Sequence, residues 1–61
     1  MRIENGEILD GDKVVGTANK GLKFGYHPAV KVEVNGKVEW FEFDTPDLIN
    51  KIIQYAEYNL A

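Results

Sequence analysis

The sequence predicts a small α+β domain: an antiparallel β-meander of four to six short strands, followed by one C-terminal helix over about residues 46–60 packed on one face of the sheet. Three observations predict it. Turn-forming pairs recur at short intervals, at Asn5-Gly6, Asp10-Gly11, Asn19-Lys20-Gly21 and Asn35-Gly36. Between them lie segments rich in β-branched and aromatic residues. Near the C-terminus, Leu48, Ile49, Ile52, Ile53, Ala56 and Leu60 repeat at helical spacing.

The strands follow in chain order. Residues 1–9 form a hairpin at Asn5-Gly6 that pairs Ile3 with Ile8. From Leu22 to Val34 the even positions are Leu, Phe, Tyr, Pro, Val, Val and Val, and the odd ones are polar or small. This alternation reads as one half-buried strand, kinked near Gly25–Pro28, or as two strands in direct succession. A turn at Asn19-Lys20-Gly21 then pairs Ala18 with Leu22, Gly16 with Phe24 and Val14 with Tyr26. At Asn35-Gly36 two registers compete. A two-residue loop sets Val32 against Glu39 and Val30 against Phe41. A three-residue loop, Val34-Asn35-Gly36, pairs Glu33 with Lys37, Val32 with Val38, Lys31 with Glu39 and Val30 with Trp40. Matched charges and matched apolar groups favour the three-residue loop, each pair contributing about 0.2–1 kcal/mol. Phe41 and Phe43 then fall on the face opposite Val38 and Trp40. Either a bulge rotates them inward or a partner subunit covers them, and the second reading is the one preferred.

The helix starts at Asp44-Thr45-Pro46-Asp47, with Thr45 or Asp44 as N-cap, Pro46 in the first turn and Asp47 at the positive end of the dipole. Asn50, Lys51, Gln54, Glu57 and Asn59 form its wet side, and Tyr55 and Tyr58 flank the apolar stripe.

Composition narrows the function. The chain has 61 residues, enough for one domain spanning 1–61, and a net charge of −3. It contains neither Cys nor Ser. Disulfides and thiol-ligated zinc are thereby excluded. No apolar run approaches the roughly 20 residues that cross a bilayer, and Arg2-Ile3-Glu4-Asn5-Gly6 shows no apolar h-region, so no secretory signal is expected. The expected setting is a reducing cytoplasm, without membrane association. A nucleophilic site needs a nucleophile, a base and an orienting group together. His27, the single His, precedes Pro28 and reads as a surface or hinge residue. Asp10-Gly11-Asp12 lacks the ligand count of a calcium loop and reads as a solvated turn. No glycine pattern fits a nucleotide-binding loop. The expectation is a non-enzymatic protein with no cofactor and no metal.

Chains this short rarely stabilise themselves by more than a few kcal/mol, and here the aromatic content exceeds what one small core can bury. Self-association follows, most simply a two-fold homodimer. Phe41, Phe43, Tyr55, Tyr58 and Glu42 are the candidate dimer or partner interface, since aromatics in a charged rim resemble binding hot spots. The acidic residues Glu39, Glu42, Asp44, Asp47 and Glu57 of the last third suit a basic protein partner. The middle of the chain is basic. Lys13, Lys20, Lys23, Lys31 and Lys37, interleaved with Phe24 and Tyr26, form the alternative site, a face for single-stranded nucleic acid.

In its length, its acidity, its lack of Cys and its strand-rich plan with a Thr45-Pro46-Asp47 helix start, the chain resembles the small proteins that phages and mobile elements encode to bind and block a host or defence protein. That resemblance implies an inhibitor or modulator of a partner protein, working in the host cytoplasm. The order of sheet then helix is also similar to the dimeric single-strand-binding transcriptional coactivators, which implies the nucleic-acid alternative.

Overall fold

The computed structural model describes residues 1–60. Five strands and one helix follow in chain order: β1 (Arg2–Glu4), β2 (Glu7–Asp10), β3 (Lys13–Lys23), β4 (His27–Val34), β5 (Lys37–Phe41) and α1 (Leu48–Leu60). The strands form one antiparallel sheet in sequence order, with β1 and β5 at its edges. The expected α+β meander with a C-terminal helix is therefore the fold. Ile3 lies opposite Ile8 across the Asn5-Gly6 turn, as the sequence predicts.

Of the two readings of Leu22–Val34, the structure has two strands in succession: β3 ends at Lys23, β4 begins at His27, and the two pair as one hairpin. The chain reverses at Phe24-Gly25-Tyr26, and Lys23 pairs with His27 and Leu22 with Pro28. Asn19-Lys20-Gly21 lies inside β3 and is no turn. Ala18 faces Val32 rather than Leu22, Gly16 faces Val34 rather than Phe24, and Val14 pairs with Leu9 rather than Tyr26. Paired residue numbers here sum to an even value, so partners share parity. A hairpin with an odd-numbered loop thus leaves the period-two alternation unbroken, as a straight strand does.

At Asn35-Gly36 the two-residue loop prevails. Val32 faces Glu39, Val30 faces Phe41 and Lys31 faces Trp40. Asn35 and Gly36 have φ of 54° and 79°, the positive pair that a primed hairpin turn requires. The register gives up matched charge pairs worth about 0.2–1 kcal/mol each. In exchange Phe41 turns inward, where burying an aromatic side chain is worth about 1.5–3 kcal/mol. Its ring meets Tyr55 edge-on, with centroids 5.9 Å apart. The expectation that Phe41 lies on an outer face is thereby corrected. Val38 and Trp40 occupy the face away from the helix.

The core lies between the sheet and α1. Ile8, Val30, Val32, Val34, Ile52 and Ala56 are buried together, with Ile3, Val15, Ala18, Phe41, Leu48 and Tyr55 packed around them. A bulge between Ile8 and Leu9 shifts the register opposite β3, and the extra residue, Val15, joins this cluster. The helix covers β3, β4 and β5. It begins later than the sequence suggests. Asp47 adopts φ 56°, which a continuing helix cannot contain, and its carbonyl accepts the first helical bond from the Lys51 N–H at 3.0 Å. Asp47 is therefore the cap, in place of Thr45 or Asp44, and Pro46 stands outside the helix. The Asp47 carboxylate accepts from the Asn50 side-chain amide at 3.0 Å. Of the expected apolar stripe, Ile49 and Leu60 stay exposed.

Gly16 allows β3 and β4 to approach. A Cβ there would stand 2.5 Å from the Glu33 carbonyl oxygen and 2.8 Å from Val34 Cγ2. The Gly16→Ala variant should lose about 1–3 kcal/mol, the usual cost of overpacking. A urea midpoint equal to that of the wild type would show that β3 moves aside freely.

Candidate functional site

One end of the molecule concentrates exposed aromatic surface. At the β3–β4 turn Phe24 is 78% and Tyr26 75% exposed, with ring centroids 6.4 Å apart. Leu22, on the helix side of β3, is exposed beside Pro28. Phe43, half exposed, lies at the same end, where the chain leaves β5 and crosses towards β3. Two ammonium groups border these rings. Lys23 Nζ is 5.3 Å from the Phe24 ring centre, and Lys20 Nζ is 6.0 Å from that of Phe43. Both distances are within cation–π range. His27 Nε2 and Glu42 Oε2 are 2.6 Å apart at the same end. The pair is solvated on both sides and fixes the start of β4 to the residue after β5.

Backbone strain points to the same place. Among the described residues, three turns place two consecutive residues at positive φ. They are Asn5-Gly6 at 49° and 78°, Asn35-Gly36 at 54° and 79°, and Phe24-Gly25 at 59° and 83°. Asn tolerates the left-handed region because its short amide bonds locally; an aromatic residue there is an outlier. Phe24 gains no compensating burial within the chain. A strained residue at an exposed position is the kind of outlier from which function is inferred.

The residues singled out from the sequence are dispersed. Phe41 and Tyr55 pack on the core. Tyr58, 81% exposed, lies three residues after Tyr55 on the side of α1 whose Tyr55 ring meets Phe41. Phe43 and Glu42 belong to the aromatic end just described. The five lysines divide between the faces. By strand alternation Lys23 and Lys31 lie on the open face, and Lys13, Lys20 and Lys37 on the helix side. The unbroken alternation places Leu22, Phe24 and Tyr26 within a strand, which conceals their grouping at a tip. The available signal was Phe24-Gly25, a non-Gly residue before Gly at the spacing of a turn.

The open face of the sheet has its own anchor. The Trp40 ring lies over Gly21, where an added Cβ would sit 3.2 Å from it. The Ala29 side chain between them is fully covered. Among the described residues no pocket is enclosed, no group of three or more His, Asp or Glu could hold a metal ion, and no helix is long and apolar enough to cross a membrane. No protein-family model matches the chain, nor does any curated protein or solved structure.

Proposed function

We propose that this chain is a non-enzymatic protein-binding module, an inhibitor or modulator that works by occupying a partner protein's surface. It would be of the type that phages and mobile elements direct against host or defence proteins. The observation that carries the proposal is Phe24, a strained and exposed aromatic beside Tyr26. Aromatic side chains at a convex tip fill recesses on partners and supply most of the energy of such contacts. Lys20 and Lys23 at the same tip favour a recess with an acidic rim.

The test is capture from bacterial lysate by the tagged chain, with and without nuclease, beside the double variant Phe24→Asn/Tyr26→Ser. The expected result is a stoichiometric protein that resists nuclease and is lost from the double variant. Equal capture by both forms would place the contact elsewhere.

A second reading rests on the same tip. Exposed rings interleaved with lysine are also how single-stranded nucleic acid is held. That reading predicts binding to a single-stranded oligonucleotide that weakens steeply as salt rises. Fluorescence anisotropy with labelled oligo-dT at low salt decides it, and an unchanged signal rejects it.

A further inference from the structure

We infer that the chain forms a two-fold dimer by pairing β5 with β5 of a second copy, in the register centred on Val38. This deepens the binding-module reading by supplying the homodimer expected with it, and it rests on separate observations. β5 is an edge strand. Lys37, Val38 and Glu39 are exposed along that edge, and in the segment after it the Phe43 ring lies 6.0 Å from Lys20 Nζ of β3. Alternation from the two-residue Asn35-Gly36 turn makes Val34–Lys37, Val32–Glu39 and Val30–Phe41 the hydrogen-bonded pairs. Val38 and Trp40 therefore turn their N–H and C=O groups outward. Open edges of this kind are templates for pairing unless something blunts them.

Side-chain chemistry selects the register. A two-fold axis normal to the sheet keeps both helices on one face and sets each residue against one of equal parity. Centred on Glu39, the pairing opposes two carboxylates directly, which is destabilising. Centred on Trp40, it sets Glu39 against Phe41 and Val38 against Glu42. Centred on Val38, it joins the half-exposed valines and sets Lys37 of each copy against Glu39 of the other. Opposite charges thus meet twice on the helix side. The helix, spread over β3 to β5, has its axis near β4, so the two helices would stand three strand spacings apart, about 14 Å. That gap is wider than the 8–10 Å of direct helix packing. Tyr58, 81% exposed, follows three residues after Tyr55, whose ring meets Phe41 of β5, and so lies on the side of α1 nearer the gap. The ten-stranded sheet so formed carries the two aromatic tips at opposite ends. Lys20 and Lys23 disfavour a tip-to-tip dimer, because both copies would bring positive charge to the contact.

Sedimentation equilibrium tests the inference. The wild type should weigh twice the 6.9 kDa of the chain. Val38→Pro should weigh one chain, because it removes an outward N–H and spares the β4 ladder. Glu39→Lys should dissociate the dimer by setting Lys37 against lysine, and Lys37→Glu/Glu39→Lys should restore it. A monomeric wild type overturns the inference, as does a dimer that survives both single substitutions. Circular dichroism separates dissociation from unfolding in each variant. The readout is mass alone. A monomer that still captures its partner defeats only this inference, and a dimer that captures nothing defeats only the binding-module reading.

Discussion

Ile52→Ala should remove most of the protein's stability. Ile52 is 2% exposed and lies where α1 meets Val30, Val32 and Val34 of β4. Truncating a buried Ile to Ala costs about 2–5 kcal/mol, the lost transfer energy plus the cavity left behind. A domain this short holds only about 3–5 kcal/mol in all. The 13-residue helix is marginal on its own and depends on docking to the sheet. Thermal melting should therefore fall by about 10 °C or more, at 4–8 °C per kcal/mol. Ile49→Ala is the control. It lies on the same helix and is more than half exposed, and it should change stability by less than about 0.5 kcal/mol. Equal losses at both positions would mean that the exposed flank of α1 is covered in solution. Wild-type melting of Ile52→Ala would mean that the helix is not held by this face.

What the sequence made legible was whatever local chemistry decides alone. Asn5-Gly6 set both the turn and the Ile3–Ile8 register, because its loop preference and its hydrophobic pairing agree. The helix and its buried Ile52 and Ala56 followed from spacing. Failure came where two local rules disagreed. At Asn35-Gly36, matched charges favoured one register and turn geometry the other. Turn geometry agreed with burial of Phe41 against Tyr55, a contact 14 residues away in sequence that no local pairing reveals. Inside Leu22–Val34 the alternation carried no information about the reversal, since an odd loop preserves parity. The aromatic tip was illegible for the same reason. Phe24 and Tyr26 appear as core positions of a strand until the turn is known. The predicted interface mixed core residues, Phe41 and Tyr55, with exposed ones, Phe43, Tyr58 and Glu42. Residue type alone does not separate an aromatic that fills the core from one that faces water.

Phe24→Asn should make the fold more stable and the protein a poorer binder. The turn would then read Asn-Gly, like the two others that place consecutive residues at positive φ. Replacing a strained L-residue at φ 59° by one that tolerates the left-handed region relieves about 1 kcal/mol. For a domain of this size that raises the melting temperature by about 4–8 °C. Little is lost within the fold, because the Phe24 ring is 78% exposed and its neighbours Tyr26 and the Lys23 ammonium belong to the same tip. Binding should move the other way. A hot-spot aromatic contributes at least about 2 kcal/mol to a protein contact, so the partner's Kd should rise about thirtyfold or more. The two measurements are independent, by melting and by titration against the captured partner. A variant that melts higher and binds as before would make Phe24 a tolerated defect and move the contact to another surface. A variant that melts lower would mean the ring supports the turn. Opposite shifts in the two quantities are the mark of a side chain kept for recognition at the expense of stability.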